Sequence, residues 1–272
     1  MRGRAAAWSV LLTVCAAACG TRAEPGNSPE NPPFSGAIGY HKIDGTYVLL
    51  DPVADLTDPS VVADSPAGPF HIWFTYGGAT IRRSDLPHLG TDATPPRPAL
   101  SASEPWEAGR VAAPSVERAA QGFRMVYEAA TDVIAVVVSS DGETWTGKRE
   151  IARGHTPMLA GGHLFLQDSG FVYREGTPLF TGTDPDVIVR ATPSDRLIWQ
   201  MFYNCPGRNS IAICYAGSWD GASFVTTGVP ILQPDQPDET GPSAVLSTDQ
   251  AILFFAQKPT GLKSRIGAAV AP

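Results

Sequence analysis

Two aspartates stand in the same local setting far apart in the chain: Asp58 in Asp58-Pro59-Ser60-Val61, and Asp184 in Asp184-Pro185-Asp186-Val187. An acidic residue before proline at the head of an apolar run can cap the turn into a strand. It can equally present a carboxyl at the point where that strand begins. Carboxyls gathered at one mouth can divide acid and base work, one kept protonated by burial or by a like charge, the other left ionised. Glu239, in Glu239-Thr240-Gly241-Pro242, lies beside another opening of this kind, at the end of a polar stretch. Ser115 in Ala113-Pro114-Ser115-Val116 and His155 before Thr156-Pro157 are candidates for ligand contact, and Trp106, next to Glu107, for a flat stacking platform.

These residues mark a repeat. A small or acidic residue, a proline and a short apolar run recur at Pro59, Pro114, Pro157, Pro185 and Pro242, and repetition at this period means an array of similar units. Aromatic and branched runs follow the openings at Phe70–Tyr76, Phe123–Tyr127, Leu197–Tyr203 and Ala251–Phe255 and read as second strands. Third strands at Ile134–Val138 and Ile211–Tyr215 lead into Ser139-Ser140-Asp141-Gly142 and Ser218-Trp219-Asp220-Gly221. There Asp-Gly makes a tight hairpin, and the aromatic that follows, Trp145 or Phe224, fills the space between sheets. Four strands with tight turns take roughly 30 to 50 residues. The unit from Pro157 to Thr183 is barely that long, and reads either as a minimal blade or as an insertion. The expected fold is all-β: a five-bladed β-propeller of four-stranded antiparallel blades with a minimal third blade. An N-terminal strand at Gly45–Pro52 is expected to complete the last blade and close the ring, which protects the edges an open row of sheets would expose.

Gly 27 and Pro 25 make about a fifth of the 272 residues, against about 12% in average proteins; with 43% hydrophobic content this means many turns around a real core and argues against long helices. Arg2 and Arg4, the apolar stretch Ala5–Val14 and Ala16-Ala17-Ala18-Cys19 read as an export signal over residues 1–19. The apolar middle is too short to span a bilayer. Small residues before a cysteine are similar to the bacterial lipobox, which implies Cys19 as a lipid anchor. Residues 20–37 then read as a flexible tether and 38–272 as a single domain. The expected address is the bacterial cell envelope, with the membrane reached through the anchor. Removal of Arg2 and Arg4 takes the formal charge from −7 to −9, and no basic cluster of the kind that binds phosphate backbones survives, so nucleic acid is not an expected partner. Cys205 and Cys214 bracket a turn-rich stretch and, in an oxidising compartment, are expected to pair across a hairpin.

From about Gly45 onward, the Asp58-Pro59-Ser60-Val61 and Ala113-Pro114-Ser115-Val116 openings and the Ser-x-Asp-Gly turns resemble the five-bladed propellers of the arabinanase, xylosidase, levansucrase and invertase clan of glycoside hydrolases. The resemblance implies carbohydrate as substrate or ligand, a monomer and no required cofactor. A metal ion near the axis is compatible with it but is not expected. In the arabinanase-like branch it also implies an axial acidic triad: an Asp opening blade one as general base, an Asp opening blade three that tunes pKa, and a Glu opening blade four as general acid. Asp58 fits the first role. If residues 157–183 are an insertion, Asp184 and Glu239 take the second and third. If they form a blade, Thr156 opens blade three and the order is broken. Two functions are therefore open, a glycosidase working through Asp58, Asp184 and Glu239, and a non-catalytic glycan-binding or interaction propeller with a degenerate site.

Overall fold

The computed structural model describes residues 40–43, 48–130, 132–191, 195–207, 210–232, 238–247, 250–259 and 261–270; the signal, Cys19 and the tether lie outside them. Five four-stranded antiparallel sheets follow one another along the chain. Blade one is β2 (Leu56–Ala63), β3 (Phe70–Tyr76), β4 (Thr80–Leu86) and β5 (Arg97–Leu100), and blade two is β6 (Val111–Ala119), β7 (Gly122–Ala129), β8 (Val133–Ser139) and β9 (Thr146–Arg153). Blade three is β10 (His155–Ala160), β11 (His163–Asp168), β12 (Phe171–Arg174) and β13 (Thr177–Thr181), and blade four is β14 (Thr183–Ala191), β15 (Leu197–Pro206), β16 (Ile211–Ser218) and β17 (Val225–Leu232). Blade five joins β18 (Asp238–Ser247), β19 (Gln250–Lys258) and β20 (Arg265–Val270) to β1 (His41–Lys42).

The short unit is thus a blade and not an insertion, so Asp184 opens blade four. The N-terminus does close the ring, but through His41–Lys42 against Ala269 and Val270 and a single bridge from Leu49 to Ile266. Residues 44–47 of the expected Gly45–Pro52 strand lie outside the described residues.

The core is divided among the blade junctions, because each sheet is covered on both faces by its neighbours and its middle strands, such as β7 and β15, are buried on both sides, while outer strands such as β9 are largely exposed. Trp73, Ile81 and Leu100 meet Phe123, Met125 and Tyr127 between blades one and two, and Phe165 and Val172 meet Trp199, Met201 and Tyr203 between blades three and four. The junction of blades two and three is the thinnest, with Val126, Ile134 and Val136 against Leu159. The Ser-x-Asp-Gly turns latch blades together. Trp73 Nε1 and Arg83 Nη1 donate to the carbonyls of Gly142 and Asp141 (3.1 and 3.0 Å), and Arg174 Nη1 donates to that of Asp220 (3.3 Å). Trp145 and Phe224 fill the junctions beside these turns. Cys205 and Cys214 form a disulfide between β15 and β16.

Candidate functional site at the axial mouth

Each innermost strand carries a β-bulge at the same place, between Thr57 and Ser60, Ala112 and Ser115, His155 and Met158, Thr183 and Asp186, and Thr240 and Ser243. The residue before the proline is left-handed in all five, with φ of 51° at Asp58, 46° at Ala113, 41° at Thr156, 48° at Asp184 and 58° at Gly241. Such backbone is costly for a residue with a Cβ and persists only where the surroundings enforce it. A bulge re-aims the side chain it carries, and here all five positions are turned onto the axis. They bound a cavity of about 40 Å³ lined by Asp58, Ala113, Thr156, Asp184, Gly241 and the prolines that follow them. Glycine at 241 avoids the backbone strain the other four accept, and leaves room beside Asp58, whose Cα would lie 3.3 Å from a Cβ placed there.

Two sets of interblade hydrogen bonds hold this ring. In the first, a polar side chain near the end of a second strand accepts the amide of the next blade's left-handed residue: Ala113 N to Thr75 Oγ1 (2.8 Å), Thr156 N to Glu128 Oε2 (3.1 Å) and Gly241 N to Asn204 Oδ1 (3.2 Å). In the second, the residue after the proline accepts an amide from the next blade: Val116 N to Ser60 Oγ (2.8 Å), Leu159 N to Ser115 Oγ (3.1 Å), Ala244 N to Asp186 Oδ2 (2.8 Å) and Val61 N to Ser243 Oγ (3.0 Å). Buried amides are satisfied in this way without any strand pairing between blades.

Asp58 and Asp184, on blades one and four, face each other across the cavity. Asp58 accepts from Thr57 Oγ1 (2.9 Å) and from the Thr75 hydroxyl. Burial raises its pKa first, and the Glu128 charge adds to the effect. Asp184 accepts from Asn204 Nδ2 and from the Thr156 hydroxyl. Its pKa is raised to about 7, mainly by burial and then by the charge of Asp58. These are the conditions under which one carboxyl of a pair keeps its proton at neutral pH.

Glu128, on β7, is the third carboxyl of this region and was not picked out from the sequence. Its charge raises the pKa of both aspartates. Arg110 Nη1 pairs with its Oε1 at 2.7 Å, and His155 Nδ1 lies 3.5 Å from the same oxygen. Thr75 and Asn204 make the same interblade bond with neutral groups, so the bond alone does not call for a charge. The signal lies in the repeat: Thr75, Glu128, Gln167 and Asn204 stand at equivalent places in second strands. His155 sits on the rim, 38% exposed, with its other ring nitrogen 3.3 Å from Asp132.

Glu239 lies elsewhere. It does not line the cavity but is fully buried, its Oε1 bonded to Lys42 Nζ and to Gln257 Nε2 (3.0 Å). The cause is register: two residues before the left-handed position the chain points into a blade junction, as the fully buried Leu56 and Val111 do. Ser115 lines the cavity, but its oxygen accepts Leu159 N and its hydroxyl points to Met158 Sδ (3.1 Å), so it joins blades two and three. Trp106 packs on the core between blades one and two, in a single 3-10 turn at Pro105–Glu107. Its buried neighbour Glu107 accepts from Tyr127, Lys148 and two backbone amides. Among the described residues no group of three His, Cys, Asp or Glu side chains is arranged to hold a metal ion.

No protein-family model and no curated protein matches the sequence. Solved structures do match the fold. An alpha-L-arabinofuranosidase from Podospora anserina, solved with cellotriose, superposes with a TM-score of 0.61 at 14% identity, covering 87% of this chain and 95% of that one. A GH43_1 enzyme from Xanthomonas citri gives 0.59 at 16% identity over 83% and 90%, and an exo-1,5-alpha-L-arabinanase from a bovine ruminal metagenomic library 0.56 at 12% over 83% and 94%. The chain therefore has the five-bladed propeller fold of these glycoside hydrolases.

Proposed function

We propose that this propeller binds a carbohydrate over the axial mouth and hydrolyses a glycosidic bond there, with Asp58 and Asp184 as the working carboxyls. The observation that carries the proposal is the pair itself: two carboxyls from blades one and four, on one cavity, with unequal surroundings. The triad of Asp58, Asp184 and Glu239 is replaced by a pair because Glu239 is held by Lys42. Asp184, whose pKa of about 7 leaves it partly protonated at neutral pH, gives its proton to the leaving oxygen. Asp58 takes a proton from the attacking water, and Glu128, held by Arg110 and beside His155, sets the negative field that keeps the Asp184 proton in place. The cavity of about 40 Å³ holds water and not a sugar ring, so the sugar sits above it, against the rim at His155 and Arg110. No cofactor enters this scheme.

The test is hydrolysis of aryl glycosides and of arabinan, xylan and fructan oligosaccharides by the full chain, alongside Asp58→Ala and Asp184→Asn. Turnover lost in both variants supports the pair. A second reading is favoured by the displacement of Glu239 and the small cavity, namely a glycan-binding propeller without turnover. Sugar binding by calorimetry with no hydrolysis would establish it.

We also propose that the chain is exported and anchored through Cys19. The Cys205–Cys214 disulfide supports this independently of the signal, since such bonds persist in oxidising compartments. Fatty-acid labelling that disappears in Cys19→Ala is the expected outcome, and labelling that survives would refute the anchor.

A further inference from the structure

Farther along the same five strands the channel widens into a second cavity of about 400 Å³, open to solvent at the face opposite the mouth. Val61, Val116, Leu159, Val187 and Val245 form an aliphatic stripe along its wall, with Ser60, Ser243, Glu117 and Arg118 beside it. A cavity of this size is within the range that takes small organic ligands, roughly 300 to 1,000 Å³.

One charged residue lies deep in this channel, away from the charges at its rear opening. Asp186 lines both cavities and therefore stands where they meet. It is 7% exposed, and the hydrogen bond it makes uses Oδ2, which accepts Ala244 N. Ser60, Ser115 and Ser243 make the same interblade bond at the equivalent places, so the bond needs a hydroxyl and no charge. A carboxyl here adds a second oxygen beyond the one that accepts Ala244 N, at a place where desolvating a charge is expensive. Along the channel the charged groups that face it are Asp58 and Asp184 on the mouth side, and Glu117 and Arg118 at the rear opening. Glu117 is paired with Arg124 and Arg118 with Asp64. From the neighbouring inner strands β10 and β18 it meets Met158, Ser243 and Ala244, which carry no charge.

We propose that the rear cavity binds a small apolar molecule carrying one primary ammonium group, the apolar body lying along the valine and leucine wall and the ammonium pairing with Asp186. An uncharged donor would gain only an ordinary hydrogen bond from the second oxygen where an ammonium gains a charge-assisted one, and an anion would be repelled by it. In the empty protein burial raises the Asp186 pKa to about 7. Binding of a cation takes up the ionised form, so affinity should increase as pH rises through that value. A site half ionised near pH 7 is about tenfold more ionised at pH 8 than at pH 6.

The experiment is calorimetric titration of the full chain with 4-phenylbutylamine and, as the uncharged comparison, 4-phenylbutanol, at pH 6 and pH 8. The expected result is that the amine binds at least about tenfold more tightly than the alcohol at pH 8 and about tenfold more tightly at pH 8 than at pH 6. In Asp186→Ser, which installs the residue used at three equivalent positions, both differences should vanish while the alcohol binds as before. Asp186→Asn, which keeps shape without charge, is a second variant should the first be unstable. The proposal is overturned if the folded protein binds neither compound. It is also overturned if the amine keeps its advantage in both Asp186 variants, or loses it in Asp184→Asn instead, which would put the ammonium at the mouth. This inference does not rest on the proposed hydrolysis and fails separately from it.

Discussion

At its mouth the axial channel is bounded by Asp58, Thr156 and Asp184; three residues later the same strands bound it with Val61, Leu159 and Val187. The two ends share strands, repeat and interblade bonds, yet one gathers carboxyls and the other a wall of aliphatic side chains. The bulge makes the difference. Before it the chain is turned so that the left-handed residue faces the axis, and after it the pleat resumes with branched residues suited to a packed strand. Asp186 is the point at which the two regimes meet.

That contrast can be broken from either end. The largest effect should come from Asp184→Asn, which removes the carboxyl assigned to protonate the leaving oxygen, its pKa raised to about 7. Turnover of whatever glycoside the chain hydrolyses should fall about 10² to 10⁴-fold, with amine binding at the rear unchanged. Initial rates on the best substrate of the panel measure the first, and calorimetry the second.

Glu239→Gln tests whether a carboxyl outside the mouth matters for chemistry. It breaks a buried pair with Lys42, and should cost on the order of 3 to 5 kcal/mol in urea unfolding, while activity per folded molecule stays within about twofold. A loss of turnover without loss of stability would return Glu239 to the site.

The buried carboxyls also set a pH dependence of stability. Asp184 and Asp186 have pKa values raised to about 7 when folded, against 3.8 as their ordinary value, and Asp58 is raised as well. Between about pH 4 and 7 the folded chain therefore holds protons that the unfolded chain has released, so stability falls as pH rises through this window and levels off above it. Thermal unfolding should occur at a higher temperature at pH 5 than at pH 8, and Asp186→Ser should flatten the profile by its own share, on the order of a few kcal/mol. A profile that rises with pH would contradict the burial assigned to these groups.

Smaller effects are expected away from both ends and at their boundary. Replacing Cys205 and Cys214 by serine removes a short cross-link and should cost about 2 to 3 kcal/mol, with turnover retained. Ser115→Ala leaves Leu159 N unsatisfied at the thinnest blade junction. It should cost about 1 to 3 kcal/mol without changing substrate affinity, both read from unfolding curves and KM.

Local signals carried much of the architecture. The second strands at Phe70–Tyr76 and Leu197–Tyr203, the Asp-Gly turns with Trp145 and Phe224, and the disulfide were legible because each depends on neighbours in the chain. The closing strand was read a few residues late, since His41–Lys42 has too little pattern to announce itself and is fixed only by its partners on β20. Glu239 was misplaced because proximity to a Gly-Pro opening does not reveal the facing of a side chain when a bulge lies between them. Glu128 and Asp186 were passed over because each looks, in sequence, like a polar residue in an ordinary strand.

The sequence by itself determined the repeat, the all-β ring, the pairing of its cysteines and the presence of acidic residues at two of five equivalent openings, all consequences of local periodicity and turn chemistry. Only the tertiary structure decided which carboxyls meet. Asp58 and Asp184 come together because ring closure and five matching bulges turn strand starts from distant parts of the chain onto one axis, while its place two residues before the bulge position sends Glu239 to Lys42.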